Sequence, residues 1–169
     1  LRLTQTDAPA VVNRLETRNL RLDDPQAAWA WAYLARQSAL RLSPDAGQQM
    51  MRALNLLPDD TNPGWSDDVL AWGVRALLRT VPPIERWAQV PRLVSWMSAK
   101  ELRDPAWTYW KARATQATAR AGAAGDAQRA DARQQLDAIA VATNFYVKLA
   151  TEDLGRTPGL PPVPEGVLP

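Results

Sequence analysis

The chain has 169 residues, enough for one ordinary domain with a buried core, or for a piece of a larger protein. Twenty basic residues against eighteen acidic ones leave a net charge of +2, too small to mark a nucleic-acid binder. Cysteine and histidine are both absent, which excludes disulfides, thiolate nucleophiles, imidazole bases and ordinary zinc sites.

The chain starts at Leu1 without methionine and is read as a fragment or a mature segment. No apolar run approaches the length of a membrane span. Asp7 and Pro9 start a first helix that is expected to run to about Asn19, with Val11, Val12 and Leu15 on its apolar side. Asp24-Pro25 starts a second, to about Leu42, with Trp31, Leu34, Ala35, Ser38 and Leu42 on one stripe. Ser43-Pro44 starts a third, to about Leu56. The signal at Pro25 and Pro44 is the same: a residue able to cap, then a proline whose missing N–H costs nothing in the first turn.

Residues 58–64 form a turn-rich connector. Ser66 caps a fourth helix, and Asp67 and Asp68 suit the positive end of its dipole. Its apolar face is Leu70, Val74, Leu77 and Leu78. Pro82-Pro83 opens a fifth segment, which Pro91 is expected to split into two short helices, because an internal proline removes a backbone donor.

Asp104-Pro105 repeats the start signal, and Trp107, Trp110, Ala114, Ala117 and Ala121 then recur at helical spacing. Gly122 and Gly125 break that helix, and Gly125 or Asp126 caps the next, which places Ala132, Leu136, Ile139 and Ala140 on one stripe. Asn144 caps a short last helix carrying Phe145, Leu149 and Ala150, and Gly155 stands where a left-handed glycine ends a helix. After it, prolines crowd into an extended, linker-like tail over residues 156–169.

No alternating strand pattern of useful length appears, so the fold class is all-α. The runs Trp31-x-x-Leu34-Ala35, Trp72-x-x-Arg75-Ala76 and Trp110-x-x-Arg113-Ala114 share a register about 40 residues apart, the length of one helical hairpin in repeat families. The expected architecture over residues 1–155 is a right-handed superhelical stack of antiparallel helix pairs, an α-solenoid of tetratricopeptide-like build.

One resemblance adds to this reading. The segments Asp104-Pro105-Ala106-Trp107, Tyr109-Trp110-x-Ala112-Arg113-Ala114, Asn144-Phe145-Tyr146 and Leu149-Ala150-x-Glu152-x-Leu154-Gly155 resemble the helical domain of soluble lytic murein transglycosylases. Upstream, Leu70-Ala71-Trp72-x-Val74-Arg75-Ala76-x-Leu78-Arg79 and Trp96-Met97 do so too, and the resemblance covers about residues 23–155. Val147 departs from the pattern, because the family usually carries glycine after its Phe-Tyr pair.

The resemblance implies a periplasmic lyase of the bacterial cell wall that cleaves the MurNAc-GlcNAc bond of peptidoglycan and leaves a 1,6-anhydro product. It also implies that this chain is the superhelical part, while the catalytic acid, a glutamate followed by serine, lies in a separate lysozyme-like domain. Glu16, Glu85, Glu101, Glu152 and Glu165 are none of them followed by serine, so no catalytic residue is assigned here. No cofactor or metal is expected, and the partners implied are glycan strands and the catalytic domain of the same protein. A glycan or domain-contact surface is expected at Trp65, Arg75, Lys111, Arg113, Tyr146 and Lys148: an aromatic ring can stack on sugars, and cations attract the carboxylates of peptide stems. The alternative is a tetratricopeptide-like adaptor that binds a protein or peptide, since the same helical ridges serve both.

Overall fold

The structure is a computed structural model and describes residues 8–17, 22–140 and 145–157. The expected cap at Asn144, the helix start at Asp7 and most of the proline-rich tail lie outside these residues. All regular structure among the described residues is helical, in the order α1 (Ala8–Glu16), α2 (Asp24–Leu40), α3 (Ala46–Asn55), α4 (Asp67–Thr80), α5 (Pro83–Ser95), a single 3-10 turn (Glu101–Arg103), α6 (Pro105–Thr118), α7 (Ala123–Ile139) and α8 (Phe145–Asp153). None of these helices is long and apolar enough to cross a membrane. The chain packs as two compact units, Leu1–Leu102 and Arg103–Pro169.

Local chemistry fixes the helix starts. At α2 the cap is Asp23, one residue earlier than expected: its carboxylate accepts the N–H of Gln26 at 2.9 Å, and the Gln26 side chain reaches back to the Asp23 N–H. This reciprocal box satisfies two orphan donors and leaves Pro25 in the first turn. Ser66 caps α4 and Asp104 caps α6, with Pro105 at the first helical position. Ser43-Pro44 starts no helix directly. The Ser43 hydroxyl accepts the Asp45 N–H at 3.3 Å, which makes a local turn, and α3 begins at Ala46.

Within Leu1–Leu102, α2 packs on α3 and on α4, α3 on α4, and α4 on α5. The core between them holds Leu34, Met50, Leu54, Leu70, Val74, Leu77, Leu93 and Val94, each almost fully buried. Pro91 does not split α5, which runs unbroken through it. A proline inside a helix costs about 3 kcal/mol through the lost bond and ring crowding. Here Val90, Leu93 and Val94 are buried on both sides of it and hold the two turns in one line.

Helix ends in this fold are fastened by arginines from elsewhere in the chain. Arg92 on α5 donates to the carbonyls of Leu54, Leu57 and Pro58 at 3.3, 3.0 and 2.7 Å, at and just past the end of α3, adding to the backbone bonds that the Leu54 and Pro58 carbonyls already accept. Arg79 on α4 donates to the Leu42 carbonyl just past α2. Arg86 holds the Leu78 carbonyl near the end of α4, and Arg129 holds those of Ala119 and Arg120 after α6. Replacement of Arg92 by methionine keeps the stem and removes the fork. It is expected to cost about 2 kcal/mol, since hydrogen bonds to charged groups contribute about 1.5–3, and to lower the urea midpoint, while Arg92→Lys recovers only part of the loss because one ammonium cannot span three carbonyls.

The end of α2 corrects one expectation. Leu42 is not on the buried stripe: it follows the helix at φ 59° with its side chain 67% exposed. The N–H groups of Leu42 and Ser43 bond back to the carbonyls of Ala39 and Ser38, a paired left-handed ending that glycine usually supplies. The left-handed conformation costs an L-residue about 1–2 kcal/mol. Leu42→Gly is therefore expected to stabilise the chain by about 0.5 kcal/mol after the entropy of glycine and the loss of a little buried surface are counted, a small rise in thermal midpoint. At the end of α8 the same ending uses Gly155 at φ 74°, with the Gly155 and Arg156 N–H groups on the carbonyls of Glu152 and Thr151.

Within Arg103–Pro169, α7 lies on α6, and α8 packs on both. Their core is Tyr109, Ala112, Ala132, Leu136, Ala150 and Leu154, with Trp110, Ile139, Tyr146 and Leu149 packed around it. The apolar stripe expected on α6 runs too far: the helix stops at Thr118, and Ala117 and Ala121 are exposed. Val147 is buried at 3% exposure, so the position where the resembled family carries glycine is filled by side-chain packing here.

Candidate functional site

The six residues expected at a binding surface have different surroundings. Trp65 is 7% exposed and meets Trp96 edge-on at 5.9 Å, so its ring is used in packing and has little face left for a sugar. In the second unit, Tyr146 is half-buried against Tyr109 and Trp110, at 5.7 and 6.2 Å between ring centres. Arg113 reaches from α6 to Asp153 on α8 at 2.9 Å. Lys111 on α6 and Lys148 on α8 are exposed.

Asp153 also bonds the Tyr109 hydroxyl, and burial together with this carboxylate pushes the Tyr109 phenol up to about 12. The raised value makes a contribution to stability that is complete below pH 10 and is lost as the pH rises through 12. Thermal melts between pH 9 and pH 12 are expected to fall steeply for the native chain and less steeply for Tyr109→Phe, which has no proton to lose there. At the other end of the scale, Asp67 is held below the usual carboxylate range because the hydroxyl and N–H of Ser98 both donate to it, at 2.6 and 2.8 Å.

Arg75 stands at the feature most suited to binding. Its guanidinium lies over the Trp72 ring at 5.1 Å, on the rim of a cavity of about 210 Å³ formed by the end of α2, the start of α3 and α4. Ala39, Ala46 and Ala76 form a small buried cluster at its floor, and Trp72 packs against them. Alanine makes the hollow: three small side chains meet where larger ones would fill the space. Arg79 completes the rim on the same helix face as Arg75, and Leu42 stands at the edge. None of the residues that line the hollow is acidic. Sequence reasoning singled out Arg75 by its repeat register, but missed Arg79 and the hollow itself, because nothing in the sequence says which alanines of three helices will meet.

A second hollow of about 360 Å³ between α1, α2 and α3 is crossed by the ion pair of Arg52 and Glu16, with Arg52 also over the Trp31 ring at 4.9 Å. Arg14 and Asp24 also line it. Among the described residues no three carboxylates gather in a way that would hold a metal ion.

On the outer face of α2, Trp29 is 42% exposed and stacks on Tyr33 at 5.5 Å, with Arg36 beside Tyr33 and paired to Asp68 of α4. Comparison with models of protein families, with curated proteins and with solved structures returns no match to this chain.

Proposed function

We propose that the chain is the non-catalytic helical scaffold of a peptidoglycan lytic transglycosylase, built as a superhelical stack of antiparallel helix pairs of tetratricopeptide-like kind. Its role is to hold a separate catalytic domain and to shape the access of a glycan strand to it in the periplasm. The observation that carries the reading is the shared register of Trp31, Trp72 and Trp110. Ala35, Ala76 and Ala114, four residues after each tryptophan, are all buried, on α2, α4 and α6. A recurring buried contact of this kind is what stacked hairpins require, because one hairpin cannot cover its own apolar face. The order of the matching segments, from the Trp72 helix to the Gly155 ending, supports the specific family.

The test is the reading frame beyond Pro169 together with purified sacculi. A following lysozyme-like segment with a Glu-Ser pair, and no release of anhydro-muropeptides by this chain alone, is the expected pair of results. Release of anhydro products by the chain itself would overturn the reading.

The rival reading, an adaptor for a protein or peptide, is favoured by the cavity beside Trp72, since an apolar floor with a basic rim suits a peptide. It predicts a saturable protein partner and no association with sacculi.

A further inference from the structure

We infer that the outer face of α2 is an interface between two copies of this chain, with their α2 helices packed antiparallel. α2 is apolar on two sides. Of its seventeen residues only Asp24 and Arg36 carry charge. The inner side, with Trp31, Leu34 and Ala35, is buried in the core. On the outer side Trp29 and Leu40 stand 42% and 43% exposed, and Leu22, just before the helix, is 38% exposed. A helix that is apolar all round is one that is covered all round. Ile84, Leu102 and Phe145, also exposed, each stand on a different element, and single exposures of that kind need no cover.

The spacing of the outer face identifies what covers it. Leu22, Gln26, Trp29, Tyr33, Arg36 and Leu40 follow at gaps of four, three, four, three and four, the alternation that seats one helix on another. The gaps read the same from either end, and so does the chemistry: leucine outermost, a polar side chain next, an aromatic ring in the middle. Laid antiparallel, Trp29 of one copy faces Tyr33 of the other, Gln26 faces Arg36, and Leu22 faces Leu40. Each contact then occurs twice. A two-fold interface demands this self-complementarity, whereas a surface for an unrelated protein does not.

The aromatic centre is set before the copies meet. Trp29 lies against Tyr33 with ring centres 5.5 Å apart and planes 18° apart, so little side-chain freedom is left to lose on association. Two such pairs bring four rings together at the middle of the seam, where aromatic side chains contribute most to binding. Arg36 is held beside Tyr33, at 6.0 Å from the ring centre, by its pairing with Asp68 of α4. This selects the direction. Parallel helices would set Arg36 against Arg36, while antiparallel ones set it against the neutral amide of Gln26.

A seam as long as α2, about 26 Å for seventeen residues, lies at the small end of specific interfaces, about 1,200 Å² in total. Sedimentation equilibrium of the native chain is therefore expected to show a monomer–dimer equilibrium with a dissociation constant on the order of 10 µM. Trp29→Lys is expected to weaken it at least about tenfold, since the symmetry introduces the charge twice. Its helical circular dichroism is expected to stay native, because the ring it replaces lies outside the core. Phe145→Ser, which removes an exposed ring elsewhere, is expected to leave the dimer unchanged.

The direction is read separately. The chain has no cysteine, so an added thiol reports alone. Leu22→Cys and Leu40→Cys chains, mixed and treated with a short bismaleimide, are expected to link to each other. Neither is expected to link to itself, because like positions lie about 27 Å apart along an antiparallel seam. A monomer at concentrations well above that dissociation constant, a dimer indifferent to Trp29→Lys or lost in Phe145→Ser, self-linking of the Leu40→Cys chain, or no link in the mixture would each overturn the inference.

Discussion

Replacing Gly125 by alanine is expected to destabilise the second unit by about 3 kcal/mol, although helix propensity alone gives the opposite sign. Gly125 lies in the first turn of α7, where alanine would ordinarily gain about 1 kcal/mol. But the backbone of Arg120 crosses directly over it. A Cβ at Gly125 would overlap the Arg120 carbonyl oxygen and lie 2.7 Å from its carbonyl carbon. Backbone cannot swing aside as a side-chain tip does, so the added methyl forces α6 and α7 apart at their turn, an overpacking cost of about 1–3 kcal/mol and more where nothing can yield. Arg129, which ties Ala119 and Arg120 to α7 one turn further on, would lose its alignment in the same movement. Urea unfolding followed by circular dichroism reads this as a lower midpoint.

Leu136→Ala is expected to cost a similar amount, about 3 kcal/mol, by the opposite mechanism. Leu136 is fully buried in the cluster with Tyr109, Ala112, Ala132, Ala150 and Leu154, and loses both its transfer energy and its packing when truncated. Of the seventeen residues of α7, the buried ones are Gly125, Ala132 and Leu136. The helix is attached by a close approach at one end and by one large side chain near the other, with alanine between. Leu136→Met, which conserves volume, is expected to cost less than about 1.5 kcal/mol. A loss for alanine no larger than for methionine, measured by the same melts, would show that the leucine site collapses and that α7 is held by something else.

These two positions also show what the sequence discloses and what it hides. The Leu136 stripe is legible, because a helical period of apolar residues needs no knowledge of partners. So are the starts of α4 and α6, where Ser66 and Asp104 act on backbone two or three residues away. Gly125 is legible as a special position but not as a close contact: it reads as a helix breaker, and its actual role depends on Arg120. Pro91 misleads for the same reason, since the packing of Val90 and Leu93 outweighs a local rule. The arginine fasteners leave no trace at all, because Arg92 and Leu54 are separated by a whole helix and nothing in either neighbourhood names the other.

The candidate surface divides along that line. Arg75 was visible through its register with Trp72. Trp65 was visible as a tryptophan in a connector, but its edge-on contact with Trp96 is a long-range fact. Arg113 sits in the register too, yet its partner Asp153 comes from α8. A basic or aromatic residue can be recognised in a sequence by type, whereas whether it is already occupied is decided by residues far along the chain.

The fasteners also impose an order in time. In each of them the arginine comes later in the chain than the carbonyls it holds: Arg79 after Leu42, Arg86 after Leu78, Arg92 after Leu54, Arg129 after Ala119. A ribosome delivers the carbonyls first. Each helix end must therefore wait for its arginine until a further stretch of polypeptide has emerged, and a nascent chain halted just before Arg92 would hold the end of α3 by its local backbone bonds alone. Growth from the N-terminus proceeds here like a row of latches, in which every newly made segment locks one already made.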